Sequence, residues 1–242
     1  MAAVRLPDPW AGCALWRIDL RAPVTPAELD TLDAQEKARA ARFVFERDRH
    51  RHAAAHVALR RLLGQAAGLP AAGVRFGHNA WGKPLFDNAP ACHFSLSHSD
   101  DVGVLAIDHV APVGVDVEVL RPMGELDALA QAHCTPDECA ALAARPSGDA
   151  RLRSFLAAWT RKEACLKAIG TGLTVDTRTV ATGAELAART VRFSHPVHGR
   201  RTLRLASWAL DAQALLSLAR IEPERRAPAP LVQAPAHEES CA

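Results

Sequence analysis

Val113-Gly114-Val115-Asp116-Val117-Glu118-Val119 alternates strictly between valine and glycine or a carboxylate. A period of two sends successive side chains to opposite faces of a β-strand, so one face is apolar and the other holds both acids. Asp116 and Glu118 therefore project from the same side. Two carboxylates that close repel each other unless water or a cation separates them. A hard divalent cation such as Mg²⁺ takes oxygen ligands and keeps room for phosphate oxygens. A solvated acidic strand face has the same pattern, and the strand alone does not decide between the two.

Downstream, Arg121-Pro122 turns the chain from strand to helix. Helices are expected near 124–133 and 136–144, the second opened by a capping box of Thr135 and Glu138. The longest helix of this half runs over about 150–169, with Leu152, Phe155, Leu156, Trp159, Leu166 and Ile169 as its apolar stripe. Glu163 and Lys167 lie four apart and share a face; on a free surface such a pair contributes only about 0.3–0.5 kcal/mol. Gly170-Thr171-Gly172 stops the helix, and strands follow near 178–182, 190–194, 202–210 and 214–220.

Upstream, Cys13–Leu20 reads as a first strand, and Thr25 caps a helix starting near Pro26 that carries Leu29, Leu32, Ala40 and Phe43. A second helix spans about 48–67, with Val57, Leu59, Leu62 and Leu63 inward. It opens with Arg47-Asp48-Arg49-His50-Arg51-His52. A basic cluster at a helix N-terminus suits an anion, and it suits a solvated surface equally. Gly82-Lys83-Pro84 marks a loop. His93-Phe94-Ser95-Leu96-Ser97-His98-Ser99 alternates into a turn, with Ser95 and Ser97 on one side, and Val102–Ile107 is a further short strand.

The chain as a whole sets bounds. Its 242 residues can bury a substantial core, and a net charge of +2 announces neither nucleic acid nor membrane. No apolar run approaches a membrane span and no secretion signal is visible at the start. The six cysteines, 13, 92, 134, 139, 165 and 241, have no metal-binding spacing, and reduced thiols in the cytoplasm are expected. Lysine occurs only at 37, 83, 162 and 167 in a chain that otherwise uses arginine. From Pro223 the composition turns to proline, alanine and glutamate, so 223–242 reads as a flexible tail. The expected division is an α/β half over 1–110, a second over 111–222 with the acidic strand, and the tail.

If the 150–169 helix crosses the charged face of the strand, Glu163 becomes a third carboxylate and Lys167 an ammonium one turn further on. Three carboxylates for Mg²⁺, an ammonium and a basic cradle suit an enzyme acting on a diphosphate. Gly114-Val115-Asp116-Val117-Glu118, followed by Trp159-Thr160-Arg161-Lys162-Glu163-Ala164-Cys165-Leu166-Lys167, resembles the paired signature of the 4'-phosphopantetheinyl transferases. Gly82-Lys83-Pro84, Phe94–Ser99 and Arg42-Phe43 through His52 resemble segments of the larger, surfactin-synthetase-activating (Sfp-type) group, all in the family's order.

The resemblance implies an α/β (α+β) fold of two similar subdomains related by a pseudo-twofold, with the active site between them, in a single-chain monomer. It implies transfer of phosphopantetheine from coenzyme A to a serine of an apo carrier protein, acyl or peptidyl, releasing 3',5'-ADP. Such carriers belong to peptide, polyketide or fatty-acid synthesis. Carried over residue by residue, Asp116, Glu118 and Glu163 would ligate Mg²⁺, with Mn²⁺ also suited. Glu163, directly or through a metal-bound water, would be the base, and Lys167 would neutralise the diphosphate and protonate the leaving ADP. Ser97, His98 and Lys83 would contact coenzyme A, Lys162 would touch phosphate or stay a surface lysine, and Arg39 and His52 would lie at the 3'-phosphate. A usual basic position falls on Glu36 and a usual threonine on His52. The rival reading is a non-catalytic relative that binds coenzyme A or docks a carrier.

Overall fold

The computed structural model describes residues 3–223, the side chain of Leu173 excepted. Of the expected tail only Pro223 falls inside; the rest lies outside the described residues. The chain opens with β1 (Ala3–Trp10), antiparallel to β2 (Cys13–Asp19). β1 escaped the alternation reading because Pro7 and Pro9 interrupt it. The register shifts between Leu6 and Trp10, where a proline has no N–H for the ladder.

Two short helices, α1 (Pro26–Leu29) and α2 (Ala34–Ala41), stand in place of the single helix expected from Pro26. Each starts at its own capping box, Thr25 with Glu28 and Asp33 with Glu36. The long α3 (Glu46–Ala67) follows. The short strands β3 (Phe76–His78) and β4 (Pro84–Phe86) flank the Gly82-Lys83 turn. β5 (His93–Ser99) and β6 (Val102–Asp108) complete an antiparallel sheet in the order β1-β2-β6-β5. Ala54, Ala58, Leu62 and Leu63 of α3 pack on it against Ile18, Phe94, Leu105 and Ile107.

The second half holds β7 (Val113–Val119), α4 (Leu126–His133), α5 (Pro136–Ala143), α6 (Asp149–Ile169), β8 (Arg189–His195), β9 (Gly199–Asp211) and β10 (Ala214–Ile221). Its antiparallel sheet has the order β7-β10-β9-β8. Ala164, Cys165, Leu166 and Ala168 of α6 pack against Val191, Phe193, Leu203 and Leu205. The strand expected near 178–182 is absent. Thr177–Thr179 forms a single 3-10 turn instead, and the carbonyls of Thr177 and Val180 accept from Lys162 rather than from a neighbouring strand.

The two halves repeat one connectivity. In each, a strand leads through a long helix to a set of closing strands, the last of which inserts beside the first, as β2-β6-β5 and as β7-β10-β9. The sheets meet through a third core, where Cys13, Leu15, Val104 and Ala106 face Val115, Val117, Leu216 and Leu218. The layers therefore run helix, sheet, sheet, helix.

Two edge strands, β5 and β7, come together where the halves join. Ser95 Oγ accepts from the Val115 N–H at 3.0 Å and Ser99 Oγ from the Val119 N–H at 3.2 Å. Serine side chains thus satisfy edge groups of β7 that no third strand reaches. On the other side α6 presses close to β7. A Cβ added at Gly114 would collide with the backbone of Ala164, Lys167 and Ala168, so only glycine fits there.

Candidate active site

Asp116 and Glu118 share the Gly114 side of β7, the side that α6 crosses. This is no solvated face, for Asp116 is only 4% exposed. Lys167 Nζ donates to Asp116 Oδ1 at 2.6 Å and to Ser97 Oγ at 3.0 Å. Ser97 Oγ donates to the same Asp116 oxygen at 2.7 Å, and Ser99 Oγ donates to Glu118 Oε2 at 2.7 Å. The period-two serines of β5 are the partners of the period-two acids of β7.

Two oxygens of this cluster are left bare. Asp116 Oδ2 and Glu163 Oε1 are buried without a hydrogen-bond partner. Burial raises the Glu163 carboxyl above its ordinary range, and the charges of Asp116 and Glu118 add to the rise against Lys167. Burial likewise raises Glu118, with Asp116 adding and the Ser99 hydrogen bond opposing. Trp159, Phe155 and Leu156 wall a small cavity of about 100 Å³ beside Glu118 and contribute to that desolvation. Carboxylates that oppose one another's ionisation, two of them with a bare buried oxygen, fit a hard divalent cation. Among the described residues no three such side chains already converge in metal-holding geometry; Lys167 sits on Asp116 Oδ1 instead.

Histidines and arginines of the first half lie beside this cluster. His52 is buried, its ring 5.4 Å from that of Phe43 and 4.2 Å from that of His56. Its pKa is pushed down to about 4 by burial, then by the charges of His56, Arg39 and His98. His52 Nε2 has no partner. Desolvation and the charges of Lys167, His56 and Arg51 lower His98 in turn.

One expectation needs correction. Lys162 is fully buried, bonded to Glu138 Oε2 at 2.7 Å and to the carbonyls of Thr177 and Val180 at 3.0 and 2.6 Å. It ties α6 to α5 and has no hydrogen left for a phosphate. Lys83 is engaged only in part. Its ammonium donates to the carbonyls of Val113 and Ala168 at 3.1 and 3.2 Å, joining the β3–β4 turn to β7 and α6, and burial lowers its pKa to about 8. Glu36, on which a usual basic position falls in the resemblance, is engaged within its own chain. Besides capping α2 it binds Arg60 Nε at 2.6 Å and His56 Nδ1 at 2.9 Å, a buried tie between α2 and α3.

Ser99 was missed, although the same alternation that singled out Ser97 contains it. Glu138 was read only as a cap. It also accepts from the N–H groups of Thr182 and Gly183, both at 2.8 Å, and no sequence spacing signals that.

Comparison with known proteins adds to this geometry. A family model described as the 4'-phosphopantetheinyl transferase superfamily matches residues 112–218, and one described as 4'-phosphopantetheinyl transferase, N-terminal, matches residues 25–110. The 4'-phosphopantetheinyl transferase HetI of Nostoc sp. is 36% identical over 164 residues, covering 66% of this chain and 69% of that protein. A 4'-phosphopantetheinyl transferase of Bacillus subtilis is 32% identical over 157 residues, 63% of this chain and 68% of the relative. The 4'-phosphopantetheinyl transferase psf-1 of Bacillus pumilus is 33% identical over 171 residues, 71% and 67% of the two chains.

Proposed function

The chain belongs to the 4'-phosphopantetheinyl transferase superfamily, and on that footing we propose the work of its individual residues. It is an enzyme that transfers phosphopantetheine to carrier proteins. The donor is coenzyme A, the acceptor is a serine hydroxyl of an apo acyl or peptidyl carrier, and 3',5'-ADP leaves.

Asp116, Glu118 and Glu163 would hold Mg²⁺ or Mn²⁺ through their carboxylate oxygens. Bound there, the cation would offset the charge of the coenzyme A diphosphate and orient it for in-line attack. Glu163 takes the proton of the carrier serine. Its Oε1 is buried and unpartnered, which leaves an acceptor for that proton. Lys167 turns from Asp116 to the diphosphate and gives a proton to the leaving 3',5'-ADP. Ser97 and His98 contact the phosphates from β5. Arg39 supplies charge at the 3'-phosphate, and His52, neutral at pH 7, supplies one hydrogen bond from its free ring nitrogen. Lys83 keeps one N–H for the nucleotide after its two carbonyls.

Both sides of the site come from one chain, so a monomer suffices. The described cysteines are all free thiols, which fits a reducing compartment such as the cytoplasm. Among the described residues no helix is long and apolar enough to cross a membrane.

The observation that carries this reading is the pair of bare, buried oxygens on Asp116 and Glu163. Intact-protein mass spectrometry of an apo carrier, incubated with the enzyme, coenzyme A and Mg²⁺, tests it. One added phosphopantetheine, lost with EDTA, is the expected result. Measurable coenzyme A binding with no mass gain on either peptidyl or acyl carriers would overturn it.

A further inference from the structure

A second cleft lies apart from the carboxylates, at the far end of the second sheet. It measures about 1110 Å³ and is bounded on one side by the loop Val110–Pro112 between the halves. Arg192, Arg200, Arg201, Arg204 and Arg220 line it, with Glu222 the one acid among the described lining residues. The strand register sets Arg192, Arg200, Arg204 and Arg220 on one face, while Arg201, opposite Phe193, falls on the other. Arg204 of β9 stands directly opposite Arg220 of β10, and Arg192 of β8 lies diagonal to both Arg200 and Arg204. Neighbouring strands are only about 4.8 Å apart. Like charges facing each other across strands destabilise a sheet unless something neutralises them.

Little on the described chain does so. Arg220 pairs with Asp108 at 3.3 Å, while Arg192, Arg200, Arg201 and Arg204 have no carboxylate partner among the described residues. The ring of Trp10 holds two of the guanidinium groups in place, Arg204 at 5.9 Å and Arg220 at 5.1 Å from its centre. Charges on an edge strand guard it against pairing with another chain, which accounts for Arg192 of β8. It does not account for Arg204 and Arg220, which sit on inner strands of the sheet.

We propose that this cleft binds a small oligophosphate, as a second anion site distinct from the one beside Asp116. Guanidinium forks match phosphate oxygens in pairs, and several from adjacent strands suit a chain of phosphates better than a single one. The concave shape, with Phe193 and Ile221 among its walls, favours a small ligand over a duplex or a flat protein surface.

The test is calorimetric titration of inorganic tripolyphosphate into the full chain saturated with coenzyme A, at fixed ionic strength, against R192Q/R204Q. Circular dichroism melting establishes that the variant is folded. We expect tripolyphosphate to bind the wild type at least tenfold tighter than inorganic phosphate, and to lose at least tenfold in the variant, with transferase activity unchanged. ATP binding tighter than tripolyphosphate would assign the ligand as a nucleotide, and equal binding would assign it as the phosphate chain alone. Equal affinity in wild type and variant would overturn the proposal. So would binding of a duplex oligonucleotide with no tripolyphosphate binding at the same salt.

Discussion

Burial and two neighbouring carboxylates hold the Glu163 carboxyl above its ordinary pKa, so at neutral pH its charge disfavours the folded state. Glu163→Gln keeps the shape and removes the charge. In metal-free buffer the variant should melt above the wild type, while phosphopantetheine transfer falls by roughly 100-fold or more. Retained transfer, or a lower melting temperature, would count against the role given to Glu163. His52 shows the opposite linkage, in a group that is only 4% exposed. Its pKa is about 4 in the fold against an ordinary 6.5. Between those values the unfolded chain binds the extra proton and the native chain does not, so stability rises with pH across the window. Acidification from 6.5 to 4 should therefore remove roughly 3 kcal/mol in denaturant titrations. His52→Phe should flatten that part of the profile, and an unchanged profile would refute the assignment.

At the scale of elements, the site depends on how closely α6 lies on β7. Gly114→Ala drives a methyl group into the backbone of that helix. We expect a loss of about 1–3 kcal/mol from overpacking, with transfer falling as Glu163 and Lys167 shift against Asp116. Crystallography or hydrogen exchange across residues 160–170 would check the displacement, and wild-type activity in a stable variant would show the contact is not needed. Much of this was legible beforehand. The alternation of 113–119 and the stripe of 150–169 each matched one element, because a half-buried strand and an amphipathic helix write their period into the sequence. What stayed hidden was direction in space. Helical spacing places Lys162 beside Glu163, yet it cannot show that Lys162 points into a buried pocket made by α5 and a distant 3-10 turn. Residues 178–182 looked like a strand because threonine and valine favour one, and Lys162 claims the carbonyls of Thr177 and Val180. Glu36 could not be read as the partner of Arg60, since that pairing depends on the packing of α2 on α3.

Over the whole molecule, the two halves put different groups into one site. The first brings Ser97, Ser99, Arg39, His52 and His98. The second brings Asp116, Glu118, Glu163 and Lys167. They are fastened by serine hydroxyls between β5 and β7 and by Asn79, whose Nδ2 donates to the Gly170 carbonyl at 2.8 Å. In the proposed function, the side chains of the first half serve the phosphates and the carboxylates of the second half serve the cation. The central claim is that the carboxylates of the second half hold a divalent cation. Its most direct test is Mn²⁺ titration followed by electron paramagnetic resonance, in the presence of coenzyme A, on the wild type, Asp116→Asn and Glu163→Gln. One ion bound per wild-type chain, weakened by roughly tenfold or more in both variants, is the predicted result. Equal Mn²⁺ binding in all three proteins would contradict it.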